Sequence, residues 1–392
     1  MKIHSMALCS KFILLSFLGL ALLAPMGCGV NHGGKWGYVG STDISPGAAE
    51  FESLGFGKNS LYLAYQDAAH GQRVSVKKFD GASWHSVGPE NISPDGVASD
   101  LSLFVDPNDD TPYVAYVVST TGSVPQADGM IPQKTVSNKV FVEKYDGQKW
   151  VLLGGGPVGK GNRPSLFVRK GIPYVFFYAD KIGLEVEKFS GKSWKTLGEK
   201  PVSTHGIPYT WRGLFVDENE RVYTGFQDER TKQAFVAEYD NGSWLTVGNG
   251  PAGGGMADNG SLAVDNGLVY LGYQDAEHGN KATVMRCGHT GVWEPIGKKG
   301  FTPGKVDSLS LAVYRGVPYL AYQDESQSNK ATVMGYGQGS WEPLGNAGFS
   351  LGPAFHESLV VVPGKSSYFV AFRDVGNDNK VVVMGMHLPD RR

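Results

Sequence analysis

The chain has 392 residues and a formal net charge of −2, which falls to −4 when Lys2 and Lys11 leave with the first 27 residues. No basic excess is left to grip phosphates, which argues against nucleic acid as the main partner. Three cysteines are too few for a disulfide framework, and 54 glycines without a Gly-X-Y period, beside 41% hydrophobic residues, exclude collagen and low complexity and suit many turns between short strands.

The first element in chain order is an export segment. Residues 1–11 are weakly basic and 12–26 form an apolar run, too short to span a bilayer comfortably but suited to a signal-peptide core. It ends Ala24-Pro25-Met26-Gly27-Cys28, and Gly before Cys resembles a lipoprotein processing site, where the Cys28 thiol takes a diacylglycerol and becomes the new N-terminus. Pro25 and Met26 depart from the usual Leu-[Ala/Ser]-Gly-Cys pattern, whereas Gly29 in place of Asp implies, by the same resemblance, the outer membrane or cell surface. The expected organisation is a signal peptide over 1–27, a tether over 28–35 and one domain over 36–388.

That domain is repetitive. Trp36-Gly-Tyr-Val-Gly40 recurs from Trp84, Trp150, Trp194, Trp244, Trp293 and Trp341, at spacings of 48, 66, 44, 50, 49 and 48 residues. Each unit holds four short apolar runs: Ser-Leu-x-Val (Ser261, Ser310, Ser358), Tyr-x-Ala-Tyr-Gln-Asp (ending at Asp67 or Asp324), Val-x-x-[Phe/Tyr] (ending at Phe79, Tyr145 or Tyr239), and the Trp run. Turn residues such as Asp80-Gly81 and Asp240-Asn241-Gly242 separate them. The pattern predicts an all-β, seven-bladed β-propeller with four antiparallel strands per blade. The last repeat lacks a Trp strand and the first Trp strand lacks a blade, so strand 36–40 is expected to complete the last blade and remove the open edges.

These motifs resemble the secreted and lipoprotein β-propellers of bacteria, over Trp36 to about Met386, and more distantly the propeller lectins. Turns such as Asp80-Gly81-Ala82-Ser83-Trp84 are similar to the Asp-box of sialidases, one residue short. The resemblance implies the fold; propellers host many activities.

Two residue sets are expected on one face. The Asp ending the second strand (Asp67, Asp180, Asp228, Asp275, Asp324, Asp374) reads as a repeated turn rather than a metal ring. Residues entering the innermost strand vary between repeats and are the ligand-binding candidates: Glu52, Asp100, Arg163, Trp211, Arg212, Asp258, Asp307, His356 and Glu357. Acids on one side, arginines on the other and an indole between them suit a hydroxyl-rich or zwitterionic ligand. An insertion over 118–138 in the second repeat is expected to overhang the same face as a loop.

Other signals carry less. Gly154 to Lys160 matches the start of a phosphate-binding loop, but Gly161 replaces the Ser or Thr that would bind magnesium and no helix follows. Cys287 takes an aromatic core position, and the Trp series reads as core. The reading is a non-enzymatic, monomeric binding or scaffold propeller with no cofactor or metal, anchored to a membrane and recognising a protein or glycan. The alternative is a glycan-cleaving enzyme using Glu52 and Glu357 as paired carboxyls or, in the sialidase manner, Arg163, Arg212 and Arg373 with a Tyr–acid pair.

Overall fold

A computed structural model describes residues 34–124, 133–208, 213–288 and 290–387. The export segment, Cys28, Trp211, Arg212 and the end of the domain at 388 lie outside the described residues.

The chain is all-β, a succession of four-stranded antiparallel sheets that follow the sequence repeats. In the first repeat Ala49–Phe56, Leu61–Asp67, Arg73–Phe79 and Trp84–Ser86 pair in that order. The fifth and sixth repeats have the same order, and the second and third share one sheet because Gly159 pairs with Val140 and Lys160 with Lys139. In the fourth, the first strand is split into Gly206–Pro208 and Leu214–Val216. Gly37–Tyr38 joins the last sheet beside Lys380–His387, Gly37 opposite Gly385 and Tyr38 opposite Met384.

Burial lies between sheets rather than in one central core. Leu63, Tyr65 and Leu54 of the first repeat pack with Ala371, Val381 and Val383 of the last, and comparable clusters join the other neighbouring repeats. Both faces of each second strand are therefore covered, which is why Leu61–Asp67 is buried at every position instead of alternating. Each buried Leu, Val or Phe contributes about 1.5–3 kcal/mol.

The Trp-x-x-Val-Gly motif is a joint. The indole N–H of Trp84 donates to the Val39 carbonyl at 2.7 Å, Trp150 to Val87 at 2.7 Å and Trp194 to Leu153 at 3.2 Å. Trp244 donates to Leu197 (3.0 Å), Trp293 to Val247 (3.1 Å), Trp341 to Ile296 (2.7 Å) and Trp36 to Leu344 (2.7 Å). Each acceptor precedes the motif glycine of the preceding Trp run, and Gly40 shows why it is glycine. Its φ is +74°, and a Cβ there would stand 3.1 Å from Trp84 Cδ1. Trp36 and Trp341 are buried, whereas Trp84, Trp150, Trp194, Trp244 and Trp293 are only half-buried. The Trp series packs on the core clusters as expected, with one face on the neighbour and one polar edge on a carbonyl.

The innermost strands are tied similarly. The N–H of Leu103 donates to Ser53 Oγ (2.9 Å), Leu166 to Ser102 (3.0 Å), Gly213 to Ser165 (3.1 Å), Leu311 to Ser261 (3.0 Å), Leu359 to Ser310 (3.1 Å) and Leu54 to Ser358 (3.0 Å). Gly213 occupies the serine position of the fourth repeat, so the fifth repeat's Leu262 faces no such hydroxyl. The insertion over 118–138 is not a loop through its length. The strands Pro112–Val124 and Gln133–Tyr145 continue as a paired ribbon from Val117–Val140 to Val124–Gln133, because Val, Thr and Ser extend the ladder.

Candidate functional site

The start of each first strand pairs with the end of the second, as Ala49 with Asp67, Ala257 with Asp275 and Ala354 with Asp374. The repeated aspartates and the variable candidates therefore share one end of the sheets, here called the mouth. The aspartates cap turns: Asp67 Oδ1 accepts from Ala69 N–H (3.1 Å), Asp275 from Glu277 (3.1 Å), Asp324 from Ser326 (3.0 Å), Asp374 from Gly376 (2.9 Å) and Asp228 from Thr231 (2.8 Å). His70 and His278 lie against Asp67 and Asp275 at 2.8 and 2.9 Å. Among the described residues Asp275, Glu277 and His278 bring three possible ligand atoms within 4.8 Å of one another, but Asp275 Oδ2, the oxygen that faces His278, already accepts from Thr283 at 2.7 Å and Oδ1 from Glu277 N–H.

Each described first strand of full length is bulged at the mouth, with register shifts between Glu50 and Ser53, Ser99 and Ser102, Asn162 and Ser165, Asp258 and Ser261, Asp307 and Ser310, and Phe355 and Ser358. The first bulge residue is left-handed: Phe51, Asp100, Arg163, Asn259, Ser308 and His356, with φ between 47 and 61°. These are the structurally equivalent positions. Asp258 and Asp307 sit one residue before them, and Glu52 and Glu357 one residue after.

In the sixth, seventh and first repeats the bulges are bonded to one another. His356 N–H donates to Ser308 Oγ (3.2 Å), and Phe51 N–H donates to His356 Nδ1 (3.3 Å), whose ring stacks on Phe51 at 5.4 Å. Asp307 accepts from Ser308 N–H (2.8 Å) and from the Asn259 amide (2.6 Å). Burial raises the Asp100 carboxyl pKa, opposed by the Arg163 backbone N–H and guanidinium and by His356.

Glu52 and Glu357 do not line the mouth surface; both are fully buried. They occupy the bulge position that Leu101 and Leu309 fill in the second and sixth repeats. Among the described residues no donor bonds either Glu357 oxygen, and Glu52 Oε2 lies 3.3 Å from His356 Nδ1. Burial, then the charges of Asp307 and Glu52, pushes the Glu357 pKa well above the ordinary carboxylate value and favours the protonated acid.

Across the third to fifth repeats the described residues leave a space at the mouth. A cavity of about 260 Å³ is lined by Arg163 of the third repeat, Ile207, Pro208 and Gln227 of the fourth, and Asp258, Asn259 and Gln274 of the fifth. Gln227 Nε2 donates to the Ala257 carbonyl (2.8 Å) and to Asp258 Oδ1 (2.6 Å), fixing that carboxylate. The site thus unites Arg163 with Asp258 but leaves Glu52, Asp100, Asp307, His356 and Glu357 outside its lining. Gln227, Asn259 and Gln274 went unread in the sequence, although the Gln before the repeated Asp was visible. In the first and sixth repeats the same Gln bonds the next repeat, Gln66 to Ala98 and Gln323 to Ala354.

Arg373 pairs with Glu50 at 2.9 Å, and among the described residues two buried Tyr–acid pairs, Tyr116 with Glu143 in the core between the first two repeats and Tyr322 with the turn-capping Asp324, are both sealed from solvent.

No protein-family description matches this chain, and no curated protein matches it in sequence. Solved structures do. A protein of unknown function from Dyadobacter fermentans is 16% identical with a TM-score of 0.54, over 92% of this chain and 100% of that one. Trypanosoma rangeli sialidase in complex with sialic acid is 9% identical with a TM-score of 0.50, over 92% of this chain and 60% of that one. A lectin in complex with alpha methyl fucoside is 14% identical with a TM-score of 0.47, over 76% of this chain and 95% of that one. At such identities the likeness to the first two shows a propeller-like all-β fold.

Proposed function

We propose that the chain is a seven-bladed closed β-propeller, exported and tethered through Cys28, whose mouth recognises a glycan or a protein. Ring closure is supported by the cycle of indole bonds, which returns from Trp341 through Leu344 to Trp36, and by Ser358 meeting Leu54. Gly37 pairs at the end of Lys380–His387 remote from the mouth, so a lipid at Cys28 would leave the mouth facing away from the membrane.

The observation that carries the binding reading is the polar cavity in which Arg163 and Asp258 face one space from two repeats. An exposed cation, a bonded carboxylate and three side-chain amides over a small apolar patch suit a hydroxyl-bearing ligand of mixed charge. Glycan cleavage by Glu52 and Glu357 is less supported, because neither carboxyl reaches solvent.

A glycan array with the full chain in neutral detergent, repeated with Arg163→Ala and Asp258→Asn, tests this reading. Each substitution is expected to weaken binding about tenfold or more, as loss of a charge-assisted hydrogen bond does. Binding indifferent to both would sink the site. Absence of glycan binding would transfer it to a protein partner.

A further inference from the structure

The hydrogen bonds around the mouth cavity have a polarity. Its three side-chain amides each give their nitrogen to an acceptor in the next repeat. Gln227 Nε2 spends both hydrogens, on the Ala257 carbonyl (2.8 Å) and on Asp258 Oδ1 (2.6 Å). Gln274 Nε2 donates to the Val306 carbonyl (2.5 Å) and Asn259 Nδ2 to Asp307 Oδ1 (2.6 Å). Every one of these partners is an oxygen that can only accept, so no amide can be turned round without setting oxygen against oxygen.

What is left unbonded is acceptor. Among the described residues nothing donates to Gln227 Oε1, Gln274 Oε1, Asn259 Oδ1 or Asp258 Oδ2, and no Lys, Arg or His pairs with Asp258. Arg163, the cation of the lining, has an acid of its own: the Asp100 carboxylate accepts its backbone N–H and feels its guanidinium. The charge of Asp258 is therefore the less neutralised of the two.

The same glutamine tie elsewhere in the mouth lacks this acid. Gln66 reaches the Ala98 carbonyl and Gln323 that of Ala354, and the residues that follow those carbonyls are Ser99 and Phe355. After Ala257 and Val306 the following residues are Asp258 and Asp307. Carboxylate and amide oxygens thus collect where the fifth repeat meets its neighbours.

We propose that this part of the cavity seats a primary ammonium carried on a sugar, which makes the ligand a glycan with an unacetylated amino sugar. The inference rests on the reading that the mouth binds a hydroxyl-bearing ligand and specifies the charge of that ligand. An ammonium brings three donors and no acceptor, the complement of a lining whose own amide donors are spent. Asp258 would meet it in a charge-assisted bond, and the amide oxygens would take the remaining hydrogens. A hydroxyl in the same place gains no charge, and an N-acetyl group sets its own carbonyl among oxygens.

The full chain in neutral detergent, at about pH 6 where such an amine is charged, is titrated by calorimetry with methyl glucosaminide. Methyl N-acetylglucosaminide and methyl glucoside are titrated separately. The amine is expected to bind with a Kd on the order of 1 mM or tighter, and the other two at least about tenfold more weakly. Asp258→Asn should erase the difference between amine and glucoside. Asn259→Gly, which suits the left-handed backbone there (φ 47°) but removes one oxygen, should reduce that difference about threefold. Three sugars binding alike, and all weakened by Asp258→Asn, would overturn the ammonium inference while keeping the mouth as the glycan site. Amine binding that neither variant changes would sink both, and failure of the amine to bind would overturn the inference. If Asp258→Asn does not fold, as judged by its melting curve, Asn259→Gly decides the outcome.

Discussion

The two sides of the mouth are built from the same bulge and end differently. Across the sixth, seventh and first repeats, Ser308, His356 and Phe51 bond in series, and the next residue is a buried Leu309, Glu357 or Glu52. Across the third to fifth repeats, Pro164 and Gly260 hold that next position, Gly213 removes a serine tie, and a polar cavity remains. The bulge is common to the third, fifth, sixth, seventh and first repeats, and among the described residues what fills the position after it differs between the two sides. The plugged side also costs stability: two carboxyls stand where leucine is the local solution.

The largest expected effect breaks the plugged side. Glu357→Leu should stabilise the protein by about 1–3 kcal/mol near neutral pH, the cost of an unsatisfied buried polar group. Because the folded pKa of Glu357 is raised, its native form suffers no penalty below about 4.5, where the unfolded carboxyl is protonated too. Above that value the unfolded state ionises first, so stability falls as pH rises toward the folded pKa. The gain in Glu357→Leu should accordingly be larger at pH 8 than at pH 5 in urea unfolding. Equal or lower stability at both pH values would contradict the orphaned-carboxyl account.

A smaller effect tests the ties. Ser358→Ala leaves the Leu54 N–H without its hydroxyl and should cost about 1–2 kcal/mol by the same assay. The smallest comes from the open side, where Gly213→Ser would supply the missing acceptor for Leu262. A gain of about 0.5–1 kcal/mol is expected, and a loss would mean that glycine is required there for another reason.

Legibility followed the repeat. Strand order, the packing role of the Trp series and the capping aspartates were readable because a recurring feature averages out local exceptions. The bulge was not, since one inserted residue leaves no periodic trace in a variable segment. Candidates drawn from either side of it, such as Asp258 and Glu357, were treated as equivalent although the bulge turns them in different directions. Burial of Glu52 and Glu357 was equally hidden, because a glutamate entering a strand reads as exposed unless its leucine counterparts, Leu101 and Leu309, are aligned residue for residue.

The indole joints also set an order of assembly. Six of them connect residues 41 to 63 apart, while Trp36 and Leu344 are separated by 308. Loop closure is entropically more demanding over the longer stretch. Native units that look interchangeable are therefore unequal in time: neighbouring sheets can dock as synthesis proceeds, while the first tryptophan must wait for nearly the whole chain. Until then the last sheet keeps an unpaired edge at Lys380–His387, the segment most exposed to pairing with the wrong molecule.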